Sequence, residues 1–347
     1  MFSSNALPAL KCEGDAARFA QEILPLLAPP LANLLRGIPA PLQSGLEEIR
    51  LRSGQPIILR SGLRELTLAS TGETITDLAQ GYRVTHEQVL TSLEIMTRSS
   101  IYAWEEELRN GFLTLKGGHR VGLSGKVVLD KGAVKAIRYV SSLNIRVSRE
   151  VIGIARKVIP FLFADYHLQS TLIISPPQAG KTTLLRDLIR LISTGCAEIG
   201  LPGLNVGVVD ERSELAGCWE GVPQNDLGPK CDVLDCCPKA QGMMMLLRSM
   251  APQVIVTDEL GRAEDIYALE EAVNGGVAVL TTVHGLDASE VKRKPLLREL
   301  LATGVFQRTI ILSRRLGVGT VEKIIDLKRG ENVLHYPLAL SGRRQCD

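Results

Sequence analysis

The tightest constraint on what this chain can fold into is one short corner, Ser175-Pro176-Pro177-Gln178-Ala179-Gly180-Lys181-Thr182-Thr183. An apolar run at 171–174 (TLII) leads into it, and a helical pattern (TTLLRDLIRLIS) leads out. Strand, turn and helix in that order make a phosphate-binding loop. Backbone N–H groups at the helix N-terminus wrap the phosphates, Lys181 reaches their charge and the Thr182 hydroxyl takes Mg²⁺. Set against G-x-x-x-x-G-K-[ST], every defined position matches except the first. There Ser175 replaces a glycine, whose backbone freedom a side chain resists. Such a corner needs further strands beside it, and the sequence supplies apolar runs at 205–209, 253–257 and 277–283. Helical stretches fall between them at about 181–193, 239–250 and 263–274. Short apolar strands alternating with helices predict an α/β domain built on a mainly parallel sheet covered on both faces.

The strand ends supply the chemistry. Val254-Ile255-Val256-Thr257 runs into Asp258-Glu259. In a phosphate-loop fold an aspartate there holds the Mg²⁺ shell, and the following glutamate orients or deprotonates the attacking water. Asp210-Glu211 ends the strand at 205–209 and adds two candidate metal ligands to the same sheet edge. His284 ends the strand at 277–283, where a polar residue is placed to sense the terminal phosphate. Water, not an acceptor hydroxyl, needs a carboxylate in this position. The residues therefore predict an Mg²⁺-dependent nucleoside triphosphate hydrolase rather than a small-molecule kinase.

The amino-terminal part has a different rhythm. Residues 17–37 read as one or two amphipathic helices broken at Pro29-Pro30, and 47–51 with 56–60 as a strand pair. A helix is expected over 86–97, with Thr85 and Gln88 forming a capping box. Another is expected over 101–109, stopping at Gly111. Strand-like segments with glycine turns fill 112–149. The expected organisation is a smaller α+β domain over 1–155 and a phosphate-loop ATPase domain over 156–347. Gly122-Leu123-Ser124-Gly125-Lys126 superficially echoes a phosphate loop, but no helix follows it, so it reads as a hairpin.

Composition excludes several alternatives. Of 347 residues 45% are hydrophobic and 22% charged, which rules out a disordered chain or a coiled-coil rod. Forty Lys plus Arg against 38 Asp plus Glu argue against a protein that coats nucleic acid, and 4% aromatics argue against a base-stacking platform. No apolar run approaches the ~20 residues of a membrane-spanning helix. The start carries no basic segment followed by an apolar core, so a cytoplasmic location is expected. Seven scattered cysteines fit a reducing compartment. Cys231, Cys236 and Cys237 lack the second spaced pair of a zinc site.

The order of phosphate loop, acidic strand end, Asp-Glu strand end and histidine strand end resembles the RecA-like ATPases of type II and type IV secretion and pilus systems. The strings SPPQAGKTTLLRDLIR, GVVDERSELAG, DVLDCCPKAQGMMMLLRSMAPQVIVTDELG and TTVHG are more specific. With EEELRNGFLTLKGGHRVGLSGK and SLNIRVSRE, they resemble the stage III sporulation protein AA family over most of the chain after about residue 45. The resemblance implies an ATPase using ATP and Mg²⁺ at the cytoplasmic face of a membrane. It would dock on membrane-embedded, secretion-like channel proteins joining mother cell and forespore; the balanced charge and few aromatics predict no nucleic acid partner. It also implies a homo-oligomer, a hexameric ring. The core motifs lack an arginine to neutralise the leaving phosphate, a group that can come from a neighbour. Arg146 and Arg149 are the candidates, with Arg120 a weaker third. Two other readings stay open: a nucleic-acid translocase on the same core, and a ring that binds ATP without hydrolysing it.

Overall fold

Alternation of apolar and polar residues builds the first unit. In β1 (Glu48–Arg52) Ile49 and Leu51 are buried while Glu48, Arg50 and Arg52 stay half-buried, the period-two pattern of a sheet with one face on a core. The computed structural model describes residues 18–62, 64–98, 104–164, 167–293 and 295–340. It divides between Arg149 and Glu150 into two units, where the sequence reading placed the boundary after residue 155. The remaining strands of the first unit are β2 (Ile58–Ser61), β3 (Arg64–Leu68), β4 (Thr74–Ile75), β5 (Phe112–Leu115), β6 (His119–Asp130) and β7 (Ala133–Arg146). They form one antiparallel sheet in the order β4-β3-β2-β1-β7-β6-β5.

Its helices are α1 (Pro29–Arg36), α2 (Ala40–Gly45), α3 (His86–Met96) and α4 (Glu105–Asn110). Pro29 and Pro30 start α1 rather than merely breaking a helix, because proline's missing N–H costs nothing in a first turn. The capping box of α3 is formed as expected: the Gln88 N–H donates to Thr85 Oγ1, and the Thr85 N–H donates to the Gln88 side chain. Gly111, at φ +81°, closes α4, whose expected start at 101–103 lies outside the described residues. Gly122 to Lys126 lie within β6.

The second unit opens with a short pairing of β8 (Phe163–Ala164) with β9 (His167–Leu168), then β10 (Thr171–Ser175) and α5 (Lys181–Thr194). A second short pairing, β11 (Gly195–Cys196) with β12 (Leu201–Pro202), precedes β13 (Val206–Asp210) and β14 (Cys231–Asp235). Then come α6 (Lys239–Ser249), β15 (Val254–Glu259), α7 (Ala263–Asn274) and β16 (Ala278–His284). The chain continues through α8 (Ala288–Arg293), α9 (Pro295–Ala302), β17 (Arg308–Ser313), β18 (Thr320–Asp326), β19 (Glu331–Asn332) and β20 (Leu338–Ala339).

The large sheet is mixed. Its order is β14-β13-β15-β16-β10-β17-β18-β19, with β20 also on β18; pairings from β14 to β17 are parallel, and those of β18 are antiparallel. Successive residues of β10 feed opposite faces. Ile173 packs with Val208, Val256, Leu280 and Ile310, while Leu172 and Ile174 pack with Val209, Ile255 and Val279. Burial on both faces is why these strands read as unbroken apolar runs.

Candidate functional site

Parallel strands deliver their carboxyl ends to one sheet edge, and Ser175, Lys181, Asp258, Glu259 and His284 stand there. Ser175 is the last residue of β10 and pairs in register with His284, the last of β16. The Gly285 N–H donates to the Ser175 carbonyl at 3.2 Å, tying the two strand ends together. Between β15 and β16 the register shifts after Val256, so that Glu259 partners Thr282. Such an irregularity re-aims side chains at the end of a strand, here Asp258 and Glu259. The Thr281 hydroxyl donates to the Asp258 carbonyl at 2.8 Å and ties β16 to the end of β15.

The loop explains why serine is accepted at its first position. Ser175 is buried within the strand, outside the positive-φ region. The left-handed angles fall at Gln178 (φ 58°) and Gly180 (φ 86°). Glycine is required at 180, since a Cβ there would lie 3.3 Å from the Gly319 backbone. Pro176 is half-buried, Pro177 exposed and Ala179 buried, and Thr182 and Thr183 stand half-buried in the first turn of α5. That helix has no side-chain cap, so its first-turn N–H groups stay available to an anion.

Lys181, Glu259 and His284 converge. Lys181 Nζ is 3.5 Å and His284 Nε2 3.1 Å from Glu259 Oε2, while His284 Nδ1 lies 3.3 Å from the Ser175 carbonyl. Burial lowers the Lys181 ammonium below its ordinary range, with Glu259 pulling the other way.

Asp210 is the last residue of β13, and its side chain bonds to its own loop. It is fully buried, and its two carboxylate oxygens accept the N–H groups of Glu214, Leu215 and Ala216 at 2.8 to 2.9 Å. Those bonds pin the loop after β13 to the end of the strand. Burial outweighs the amides and pushes the carboxyl up to about 6. Glu211 and Asp258 meet around a residue that the sequence reading passed over. Lys239, at the start of α6, is 7% exposed, ion-pairs with Glu211 and lies 3.0 Å from Asp258 Oδ1. Burial alone would lower this ammonium, but Glu211 and Asp258 hold it above its ordinary value. Asp258 is pushed up by burial, with Lys239 opposing. No spacing rule marks this lysine, because α6 begins after β14, a half-buried polar strand that carries no apolar run.

The arginines lie in the first unit. Arg146 is exposed at the end of β7, Arg149 donates to the Leu46 carbonyl at 2.8 Å, and the Arg120 guanidinium sits 3.7 Å over the Phe112 ring. Among the described residues no group of three or more His, Cys, Asp or Glu side chains is arranged to hold a metal. No described helix is long and apolar enough to cross a membrane.

Residues 17–333 match the family model for sporulation stage III, protein AA. The chain belongs to that family. The stage III sporulation protein AA of Bacillus subtilis (strain 168) is 44% identical over 305 residues, covering 88% of this chain and 94% of its relative. Among solved structures, the pilus retraction motor PilT with bound ADP superposes with a TM-score of 0.50 at 16% identity, covering 77% of this chain and 74% of that one. The Legionella pneumophila ATPase DotB gives 0.48 at 18% identity, covering 77% and 72%. The chain thus has an α/β fold resembling that of the pilus motor.

Proposed function

We propose that the protein is a RecA-like, Mg²⁺-dependent ATP hydrolase that works as the motor of a secretion-like membrane channel during sporulation. The observation that carries this reading is the convergence of Lys181 and His284 on Glu259, beside the uncapped N-terminus of α5. Family membership supports the sporulation context, and the pilus retraction motor with its bound ADP supports a nucleotide on this fold.

In this reading the amides of the 176–183 loop bind the phosphates, and Lys181 faces their charge. Thr182 and Asp258, with Glu211, are the residues that would hold Mg²⁺ once it displaced the Lys239 contact, and the ion would supply positive charge beside the phosphates. Glu259 accepts a proton from the attacking water. His284, with Nε2 3.1 Å from the Glu259 carboxylate, holds its orientation, so that it links the terminal phosphate to movement of β16. Lys239 keeps Glu211 and Asp258 paired inside the protein, where unpaired carboxylates would be costly. The ring, its arginines Arg146 and Arg149 acting on a neighbour, the membrane-face location and the channel partners belong to the same proposal.

A phosphate-release assay tests it. Lys181→Ala is expected to abolish ATP binding. Glu259→Gln is expected to bind ATP normally and lose at least 100-fold in turnover, on the order expected for loss of a general base. Wild-type turnover in Glu259→Gln would move the base elsewhere. Stimulation by single-stranded DNA would favour the translocase, and ATP binding without phosphate release would leave a scaffold ring.

A further inference from the structure

We propose that Leu316 and Val318, in the loop joining β17 to β18, form the seat for the base of the bound nucleotide. This inference rests on the hydrolase reading above and adds to it the residues that hold the nucleoside.

The sheet order gives the phosphate loop two unlike neighbours. On one side of β10 stand β16 and β15, whose ends carry His284, Asp258 and Glu259. On the other stands β17, which runs parallel to β10 and so delivers its following loop, residues 314–319, to the same edge. That loop lies directly on the phosphate loop. The Gly319 N–H donates to the Ala179 carbonyl at 3.1 Å, and a Cβ on Gly180 would lie 3.4 Å from Val318 Cγ1. Even so, Leu316 is 51% and Val318 48% exposed.

The loop has a fixed shape. The Leu316 N–H donates to Thr320 Oγ1 at 3.1 Å, and that hydroxyl donates to the Gly317 carbonyl at 2.7 Å. Arg315 is drawn away toward Glu322, with guanidinium contacts of 3.0 to 3.3 Å. What remains facing solvent beside the phosphate loop is a small aliphatic surface held by its own hydrogen bonds.

The direction of the ligand follows from the chemistry. Glu259 acts on the terminal phosphate, so that end of the nucleotide points toward β15 and β16. The nucleoside therefore leaves the loop toward β17. A flat heterocycle gains most there by covering aliphatic carbon, and a purine covers more than a pyrimidine.

Calorimetric titration with ADP and with inorganic tripolyphosphate separates base from phosphate binding. The double variant Leu316→Ser/Val318→Ser is expected to bind ADP about tenfold more weakly, roughly the effect of losing contact with two aliphatic side chains, and tripolyphosphate as wild type does. Leu316→Met, which keeps the apolar surface, is expected to retain wild-type ADP affinity. Equal losses for both ligands would make the loop a prop for the phosphate loop and overturn the assignment. Unchanged ADP affinity in the double variant would also overturn it. If wild-type protein binds neither ligand, the hydrolase reading itself falls and takes this inference with it.

Discussion

At the scale of single residues, the site is a set of charges that neutralise one another in pairs. Lys239 between Glu211 and Asp258 is the clearest case, since its removal strands two carboxylates largely shielded from water. Lys239→Met is expected to destabilise the second unit by about 3 kcal/mol, read from urea denaturation, and Lys239→Arg by much less. Asp210 makes a pH prediction. Its carboxyl is raised from 3.8 to about 6 in the folded chain, so the folded state binds the extra proton. The stability it contributes is complete below about pH 4 and is lost as pH rises through about 6. The melting temperature of wild type should therefore fall relative to that of Asp210→Asn, whose side chain does not titrate, as pH rises through that window; parallel pH profiles would place the titration elsewhere.

At the scale of elements, the phosphate loop depends on where its backbone turns left-handed. Gly180 caps α5 at φ 86° against Gly319, whereas Ser175 sits in extended strand. Gly180→Ala is expected to weaken nucleotide binding at least tenfold, because it strains the cap and pushes the 314–319 loop away. Ser175→Gly should bind nucleotide within about threefold of wild type, as it changes no backbone angle that serine resists. Titration with ADP checks both. The irregular register between β15 and β16 belongs to this scale too, since it sets the aim of Glu259 toward Lys181 and His284.

At the scale of the whole molecule, the proposed ring makes activity a property of assembly. Turnover per chain should rise with protein concentration and then level off. Arg146→Ala or Arg149→Ala should lower turnover while leaving ATP affinity nearly unchanged, if these arginines serve a neighbour's nucleotide. Arg149 also holds the Leu46 carbonyl, so its variant needs a melting curve beside the kinetics. A concentration-independent monomer with full activity would remove the ring and the arginine roles together.

The sequence by itself determined the elements whose physics is local or strongly patterned. The capping box at Thr85, the stop at Gly111, and the strands and helices around the phosphate loop all follow from caps, glycine and unbroken apolar runs. It also brought Lys181, Asp258, Glu259 and His284 to one edge, because parallel strands share their carboxyl ends. Tertiary structure decided the rest. Whether Asp210 meets a metal or its own loop depends on where residues 214–216 fold back. Lys239 enters the site only because β14 pairs with β13 and places the start of α6 there. Val318 and Gly319 become neighbours of Gly180 only because β17 adds to β10. These are contacts between distant segments. No period or spacing along the chain records them, since strand order in the sheet fixes which loops stand side by side.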